Sequence, residues 1–146
     1  MNKIIQGDCL EKLKELEDNL IDLTVTSPPY DNLRTYNGYT FNFEGIAKEL
    51  YRVTKQGGVV VWVVGDATIN GSETGTSFKQ ALYFKEIGFN LHDTMIYQKS
   101  CYVPKTHNRY EQEFEYMFIL TKGQPKVFNA IETATKTAGR KINRNT

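Results

Sequence analysis

The stretch Thr26-Ser27-Pro28-Pro29-Tyr30 combines residue types that suit a site for a flat, amino-bearing ring. The hydroxyl of Ser27 and the carbonyl of Pro28 are hydrogen-bond acceptors, and the ring of Tyr30 offers a stacking face. An exocyclic amino nitrogen is a poor nucleophile because its lone pair is delocalised into the ring. Acceptors that hold its hydrogens make the nitrogen more tetrahedral, and Pro29 stiffens the backbone that carries them. The motif therefore indicates a site that binds such an amino group and makes its nitrogen nucleophilic, with positioning supplying much of the rate of its reaction.

The same motif is also compatible with a rigid turn or with a polyproline ligand peptide. Its surroundings favour catalysis, because it follows an alternating apolar run at residues 21–25 and precedes a valine-rich run at residues 59–64. A site that binds an amino-bearing ring is therefore the favoured interpretation.

Apolar patterns along the chain predict alternating strands and helices. We expect strands at residues 4–6, 21–25, 59–64, 91–98 and 114–121. We expect three helices, whose apolar faces carry Leu10, Leu13, Leu16 and Leu20, then Phe43, Ile46, Ala47 and Leu50, then Phe78, Ala81 and Leu82. The pair Gly57-Gly58 is expected to end the second helix, and Gly88 to end the third.

This order of elements predicts an α/β fold with a mostly parallel sheet, flanked by helices, and an antiparallel last strand. The uninterrupted β-branched run at residues 59–64 predicts a strand that is covered on both faces. Ligands of such sheets bind beyond the carboxyl ends of the strands. Because Gly7-Asp8, the proline motif and Gly65-Asp66 each follow a predicted strand, we expect them to face one crevice. Asp66 is equally compatible with a helix or turn cap.

The motif and the order of the segments around it resemble the β group of the DNA amino-methyltransferases. These enzymes move a methyl from S-adenosylmethionine to the exocyclic nitrogen of cytosine (N4) or adenine (N6). The resemblance spans nearly the whole chain: segment 7–11, the proline motif, the valine-rich strand, the strand at 89–99 and segment 114–123 follow the family's order. It implies a partial Rossmann-like, S-adenosylmethionine-dependent methyltransferase fold. It also implies site-specific DNA methylation of the restriction-modification type, on a base flipped out of the duplex.

The resemblance assigns roles to individual residues. The implied catalytic residues are those of the motif, Ser27, Pro28, Pro29 and Tyr30. The implied cofactor contacts are Asp8, Cys9, Ser27 and Pro28. A serine as the first motif residue leans towards cytosine N4, although adenine N6 enzymes with this serine are within expectation.

Two polar segments carry residues suited to nucleic acid. Arg34, Tyr36 and Tyr39 combine a cation with aromatic rings, a pattern that serves to stack bases and hold phosphate. His107 and Arg109 lie in a segment near where DNA would pass. Both segments are also compatible with plain solvated loops. The resemblance makes DNA the expected partner, with the first loop closing over the flipped base.

One feature of the family is missing from this sequence. The family holds the methionine part of its cofactor with a Phe-x-Gly-x-Gly type loop, and no such segment occurs here. The glycine-bearing segment 71–75 follows the wrong strand and lacks the pattern. We therefore expect residues 1–130 to be the N-terminal, catalytic half of an enzyme, with exposed sheet edges. Such edges favour self-association as a homodimer or pairing with the missing C-terminal half of the enzyme, and activity of the chain alone is left open.

Residues 131–146 form a basic segment, which from residue 136 onwards contains four cations and no acid; the cations are Lys136, Arg140, Lys141 and Arg144. This composition fits a flexible tail, an arm that tracks phosphates, or the start of a target-recognition region.

Composition bounds the remaining possibilities. A chain of 146 residues with a net charge of +1 is long enough for one domain with a buried core. Its two cysteines are far apart and without metal-ligand spacing, so neither a disulfide nor a metal is expected. Since no apolar run could span a membrane and no leader pattern is present, a cytoplasmic protein without a membrane partner is expected.

Two other functions stay open. A non-catalytic remnant that binds nucleic acid or a partner subunit fits the missing glycine loop. An amino-methyltransferase of RNA or protein amides fits the motif, because related Pro-Pro-Tyr sites serve those substrates.

Overall fold

A mixed four-stranded sheet forms the centre of the protein, of which a computed structural model describes residues 2–29, 40–100, 109–110 and 112–130. The strands are β1 Ile21–Thr26, β2 Thr54–Val64, β3 Thr68–Ile69, β4 Ser72–Glu73, β5 Asn90–Gln98 and β6 Phe114–Thr121. The helices are α1 Cys9–Lys14, α2 Phe43–Val53 and α3 Thr76–Glu86. Among the helices described, none has the length and apolar character needed to cross a bilayer. The basic segment 131–146 lies outside the described residues.

The strands of the sheet lie in the order β1-β2-β6-β5. β1 and β2 are parallel, whereas β6 is antiparallel to both of its neighbours, β2 and β5. β5 therefore points in the same direction as β1 and β2. The predicted α/β fold with an antiparallel last strand is confirmed, although this strand lies inside the sheet and not at its edge.

One face of the sheet carries the core. Val60, Trp62 and Val64 of β2 are fully buried and pack against the buried sides of α2 and α3. The buried residues of α2 are Ile46, Ala47, Leu50 and Val53, which form one helical stripe. Trp62 lies edge-on to Phe84 of α3, with ring centroids 5.1 Å apart. Phe43, in the first turn of α2, also packs on Trp62 at 5.9 Å, so the indole ties both helices to the carboxyl-terminal part of β2.

The opposite face is largely uncovered in the described part of the chain. Leu23 and Val25 of β1 are 58% and 65% exposed, and Met95 and Tyr97 of β5 are 49% and 54% exposed. Val61, the β2 partner of Val25, is only half-buried. The prediction that the valine-rich strand is covered on both faces is wrong for these residues, because α2 and α3 both pack on the core face.

The glycine pair lies inside β2 and does not end α2, so that prediction is also wrong. α2 ends at Thr54, whose backbone N–H and hydroxyl both donate to the carbonyl of Leu50. The register of β1 against β2 shifts at this point, and Gly57 has a φ of +82°. The pair thus allows a bulge that a side chain at position 57 would strain.

Three further elements differ from prediction. Residues 4–6 are exposed and form no strand, since the described sheet offers them no neighbour, and Gly7-Asp8 therefore follows no strand. The first helix is shorter than predicted and ends at Lys14. In α3, Phe78 and Leu82 are exposed. Its buried residues are Ser77, Gln80, Ala81 and Phe84. The short hairpin of β3 and β4 was not predicted.

Candidate active site

The proline motif lies at the carboxyl edge of the sheet. Residues 27–29 directly follow β1, and Gly65-Asp66 directly follows β2. The two strands are parallel, with Thr26 opposite Trp62, so both ends meet at the same edge. The structure thus brings together two of the three segments expected at the crevice. Tyr30 lies outside the described residues.

Burial alternates along the motif. Ser27 is exposed, Pro28 is buried and Pro29 is half-buried. The buried ring of Pro28 anchors the segment, and the fixed φ of both prolines limits how far it can move. The hydroxyl of Ser27 is consequently presented to solvent from a constrained backbone, an arrangement that can hold hydrogens of an amino group without reorganisation.

A cavity of about 380 Å³ opens beside the motif, between the first turns of α2 and α3. Its lining residues are Pro29, Phe41, Phe43, Glu44, Thr76, Lys79, Gln80 and Tyr83. Phe43 lies edge-on to Tyr83, with centroids 5.4 Å apart. Phe41 stacks on Trp62 at 6.4 Å. The volume and the aromatic walls are typical of a pocket for a small ring compound.

Asp66 acts as a cap, which was one of its two predicted roles. Its carboxylate accepts from the backbone N–H of Ser77 at 2.9 Å and from the hydroxyl of the same residue. The hydroxyl of Thr74 donates to it at 3.3 Å. Gly75, at the N-cap position of α3, has no side chain to accept from the first turn. Asp66 takes over that function and ties the start of α3 to the end of β2.

Gln80 is a residue that the sequence analysis missed. Its side chain is 5% exposed, and its Oε1 accepts from the indole Nε1–H of Trp62 at 2.8 Å. The only available signal was a glutamine among the apolar residues of a predicted helix, and that pattern alone does not indicate which residue the side chain contacts. Phe43 was expected as a core residue, and Tyr83 was not singled out.

Asp8 and Cys9 lie at the start of α1. Asp8 is the N-cap, and its Oδ1 accepts from the backbone N–H of Glu11 at 3.1 Å. Desolvation of the Cys9 thiol, and then the negative charge of Asp8, raise the pKa of this exposed residue. The thiol is thereby kept protonated at neutral pH, which fits a packing or binding role better than a nucleophilic one.

Arg109 is the one described residue among the five candidates for nucleic-acid contact. Its Nη1 donates to the carbonyl of Gly71 at 2.6 Å, and its Nη2 lies 3.7 Å from Glu73. It therefore contacts the hairpin of β3 and β4. Arg34, Tyr36, Tyr39 and His107 lie outside the described residues. In the described ranges no group of three or more His, Cys, Asp or Glu side chains is arranged to hold a metal.

Sequence comparison shows extended similarity to methyltransferases. Over 118 residues the chain is 69% identical to the orphan methyltransferase M.BamHII of Bacillus amyloliquefaciens, which covers 81% of this chain and 44% of M.BamHII. It is 34% identical over 113 residues to the type II beta methyltransferase M.BslI of a Bacillus strain, covering 66% of this chain and 12% of the relative. The chain thus spans less than half the length of either relative.

Solved structures show the same fold. The complex of M1.HpyAVI with S-adenosylmethionine superposes with a TM-score of 0.68 at 22% identity, covering 92% of this chain and 61% of the other. The cytosine-N4-specific PvuII DNA methyltransferase superposes with a TM-score of 0.66 at 22% identity, covering 82% and 49%. The sequence model of the N6/N4 DNA methylases matches residues 21–145, which include the proline motif, β2 and β6. This chain belongs to the N6/N4 DNA methylase family.

Proposed function

We propose that the chain carries the acceptor side of a DNA amino-methyltransferase, which methylates the exocyclic amino group of cytosine (N4) or adenine (N6). The observation that carries this proposal is the position of Ser27. It is exposed at the carboxyl edge of the sheet, on a backbone anchored by the buried Pro28, beside a cavity lined by aromatic residues. Membership of the family and the 69% identity to M.BamHII support the same reaction.

The chemistry follows from the acceptors of the motif. Ser27 Oγ and the Pro28 carbonyl accept the two hydrogens of the amino group and turn its lone pair out of conjugation. The nitrogen would then be nucleophilic towards a methyl donor, and the amino proton that it loses would pass to water beside the exposed hydroxyl of Ser27. Tyr30 is proposed to stack on the ring. Because a duplex hides this nitrogen, the base has to be flipped out before it can reach the motif.

S-adenosylmethionine, when bound, supplies an electrophilic methyl group. The chain fits only part of this cofactor: Asp8, Cys9, Ser27 and Pro28 are its proposed contacts, and the glycine loop for the methionine part is absent from the sequence. In the described sheet β1 has one neighbour, β2, so its other edge is open. We propose that the complementary half of the fold, the part of M.BamHII that this chain does not match, adds at that edge.

The test combines the chain with the unmatched segment of M.BamHII and measures methyl incorporation into DNA. Ser27→Ala should lower kcat on the order of 10²-fold with little change in the KM for DNA, because it removes an acceptor that acts in the transition state. Ser100→Ala, at an exposed serine after β5, is the matched control. Undiminished methylation by the Ser27→Ala protein would overturn the proposal.

The same experiment decides between the alternatives. If the combined halves bind DNA but transfer no methyl, the chain is a non-catalytic nucleic-acid-binding protein. Competition among DNA, RNA and peptide acceptors identifies the substrate class, and faster transfer to RNA or peptide would contradict the DNA assignment. Oligonucleotides with a single cytosine or a single adenine identify the base.

A further inference from the structure

We propose that the hairpin of β3 and β4 enters a groove of DNA beside the flipped base, and that Ile69 packs against the bases that the flip leaves unstacked. DNA as the partner rests on the proposed function. The shape, the exposure and the position of the hairpin rest on the geometry alone.

The turn of the hairpin has a sharply defined backbone. Asn70 and Gly71 join the two strands, and their φ angles are +50° and +78°. Positive φ at both central residues defines the tight two-residue turn that matches the twist of a hairpin, and asparagine followed by glycine is the pair that favours it. Ile69 and Ser72 flank the turn and are paired across the strands. The sequence therefore specifies how this tip projects.

Contacts from neighbouring segments hold the hairpin at both ends. At its base, the backbone N–H of Thr74 donates to the carbonyl of Ala67 at 2.9 Å, and the Thr74 hydroxyl donates to the buried Asp66 at 3.3 Å. At its tip, Nη1 of Arg109 donates to the carbonyl of Gly71 at 2.6 Å. A segment that is already ordered loses little conformational entropy when it binds a partner.

The outer surface of the hairpin is exposed. All six residues from 68 to 73 are exposed, and the aliphatic one among them, Ile69, is 56% exposed. Successive side chains of a strand point to opposite faces, so Ile69 and Ser72 lie on the face opposite to Glu73. Arg109 lies 3.7 Å from the carboxylate of Glu73. The apolar side chain is therefore on the face away from the Arg109 contact.

The hairpin lies at the edge of the sheet that carries the proline motif. It follows Gly65-Asp66 at the carboxyl end of β2 and leads into the first turn of α3, where Thr76 lines the cavity. Arg109 precedes β6, which is antiparallel to β2, so its contact lies at the same edge. A duplex whose flipped base reaches Ser27 therefore has its vacated position on the side of the protein where the hairpin projects.

The chemistry of the hairpin suits an interrupted base stack. A two-stranded ribbon is narrow enough to enter a DNA groove. Isoleucine is one of the apolar side chains that proteins insert between base steps. The one acidic residue of the hairpin, Glu73, is paired with Arg109, so phosphates are not repelled by an isolated carboxylate. Ile69 thus replaces stacking contacts that the flip removes, and Arg109 is a positioning residue that holds the tip.

The test compares two duplexes that differ at one position, where the first is intact and the second has an abasic site. Ile69 can fill an existing gap without unstacking a base, so the chain should bind the abasic duplex about tenfold more tightly. Fluorescence anisotropy of labelled duplexes at low ionic strength measures both affinities. Equal affinities, or binding to neither duplex, would overturn the inference.

Substitutions at Ile69 locate the preference. Ile69→Val and Ile69→Thr give side chains of nearly the same shape that both suit a strand and differ by a hydroxyl. The valine variant should keep most of the preference for the abasic duplex, and the threonine variant should lose it. Val127→Thr, at a 73% exposed valine after β6, is the matched control and should have no effect. A preference that survives Ile69→Thr would show that another residue fills the gap.

The double substitution Arg109→Met and Glu73→Gln tests the contact at the tip, and it leaves the net charge unchanged. We expect a smaller preference for the abasic duplex and an unchanged salt dependence of binding to the intact duplex, because Arg109 contacts the hairpin and no phosphate. A fall of about one in the slope of log affinity against log salt would make Arg109 a phosphate contact and contradict its positioning role.

The outcomes separate this inference from the proposed function. If methylation depends on Ser27 but the preference for the abasic duplex does not depend on Ile69, the inference alone fails. If Ile69 sets that preference and the combined halves transfer no methyl, the proposed function alone fails.

Discussion

The carboxylate of Asp66 accepts hydrogen bonds from both the backbone N–H and the hydroxyl of Ser77. Ser77 is fully buried and Asp66 is 8% exposed, so these bonds are shielded from water. They join the end of β2 to the first turn of α3, the two elements between which Trp62 and Gln80 meet. A cap supplied from a distant segment thus sets the position of the cavity wall.

Asp66→Ala should destabilise the fold by about 1–3 kcal/mol, because it leaves a buried N–H and a buried hydroxyl without their acceptor. Denaturant unfolding monitored by Trp62 fluorescence measures the change. Asp93→Ala, at an exposed aspartate of β5, should alter stability by less than about 0.5 kcal/mol. Equal effects of the two substitutions would show that the cap contributes nothing beyond an ordinary surface charge.

The pKa of Cys9 gives a prediction about reactivity. Desolvation and the charge of Asp8 both raise this pKa, so less thiolate is present at neutral pH and alkylation is slow. Asp8→Asn removes the second cause and should lower the pKa, which moves the midpoint of the rate–pH curve to lower pH. Asparagine also serves as an N-cap, so α1 is retained.

The measurement is the alkylation rate against pH in a Cys101→Ser background, where Cys9 is the remaining thiol. Asp18→Asn is a control that changes the net charge equally without altering Cys9. A midpoint that stays in place after Asp8→Asn would show that the carboxylate of Asp8 does not affect the thiol.

The sequence predicted the elements whose patterns reflect local physics. The helical spacing of apolar residues predicts α2, and the run of β-branched residues predicts β2. Both elements occur in the structure. The position of Ser27 at a strand end followed from the alternation before it. The sequence is compatible with a cap and with a crevice residue at Asp66, since the partner Ser77 is contributed by a separate element.

The features that the sequence did not reveal depend on contacts between segments that are separate along the chain. Residues 4–6 have the composition of a strand, but a strand needs a neighbour, and the described sheet gives them none. The pair Gly57-Gly58 resembles a helix end, yet a register shift against β1 requires it inside β2. Gln80 could not be singled out, because its meaning depends on the indole it faces.

Arg52 connects α1 to α2. Its guanidinium donates to the carbonyl of Leu13 in the last turn of α1 at 2.9 Å and to that of Leu16 just beyond the helix at 2.8 Å. It also pairs with Glu49 and Asp18. Arg52→Lys keeps the charge but loses the fork that reaches both carbonyls. We expect faster amide hydrogen exchange across α1 and no change in α3. Lys55→Arg, in an exposed pair with Asp22, is the control. Unchanged protection of α1 would contradict this role.

The open edge and uncovered face of the sheet give the last prediction. Val25 on β1 and Leu82 on α3 are both apolar and both 65% exposed, so the two positions are matched in their exposed fraction. Val25 lies on the strand and face proposed to meet the complementary half, whereas Leu82 lies on the outer side of a helix that already covers the core. Val25→Lys should therefore abolish association with the unmatched segment of M.BamHII, and Leu82→Lys should leave it intact.

Both side chains are mostly exposed in the isolated chain, so each substitution should change its stability by less than about 0.5 kcal/mol. Association is measured by sedimentation velocity with the chain alone and with the added segment. If the chain alone forms a dimer that Val25→Lys dissociates, the face is occupied by a second copy and the complementary-half proposal is wrong. If both lysine variants associate like the parent, the partner binds elsewhere. A loss confined to Val25→Lys, with the chain alone monomeric, supports addition at β1, because a lysine there would bury an unpaired charge under the incoming strand and helices.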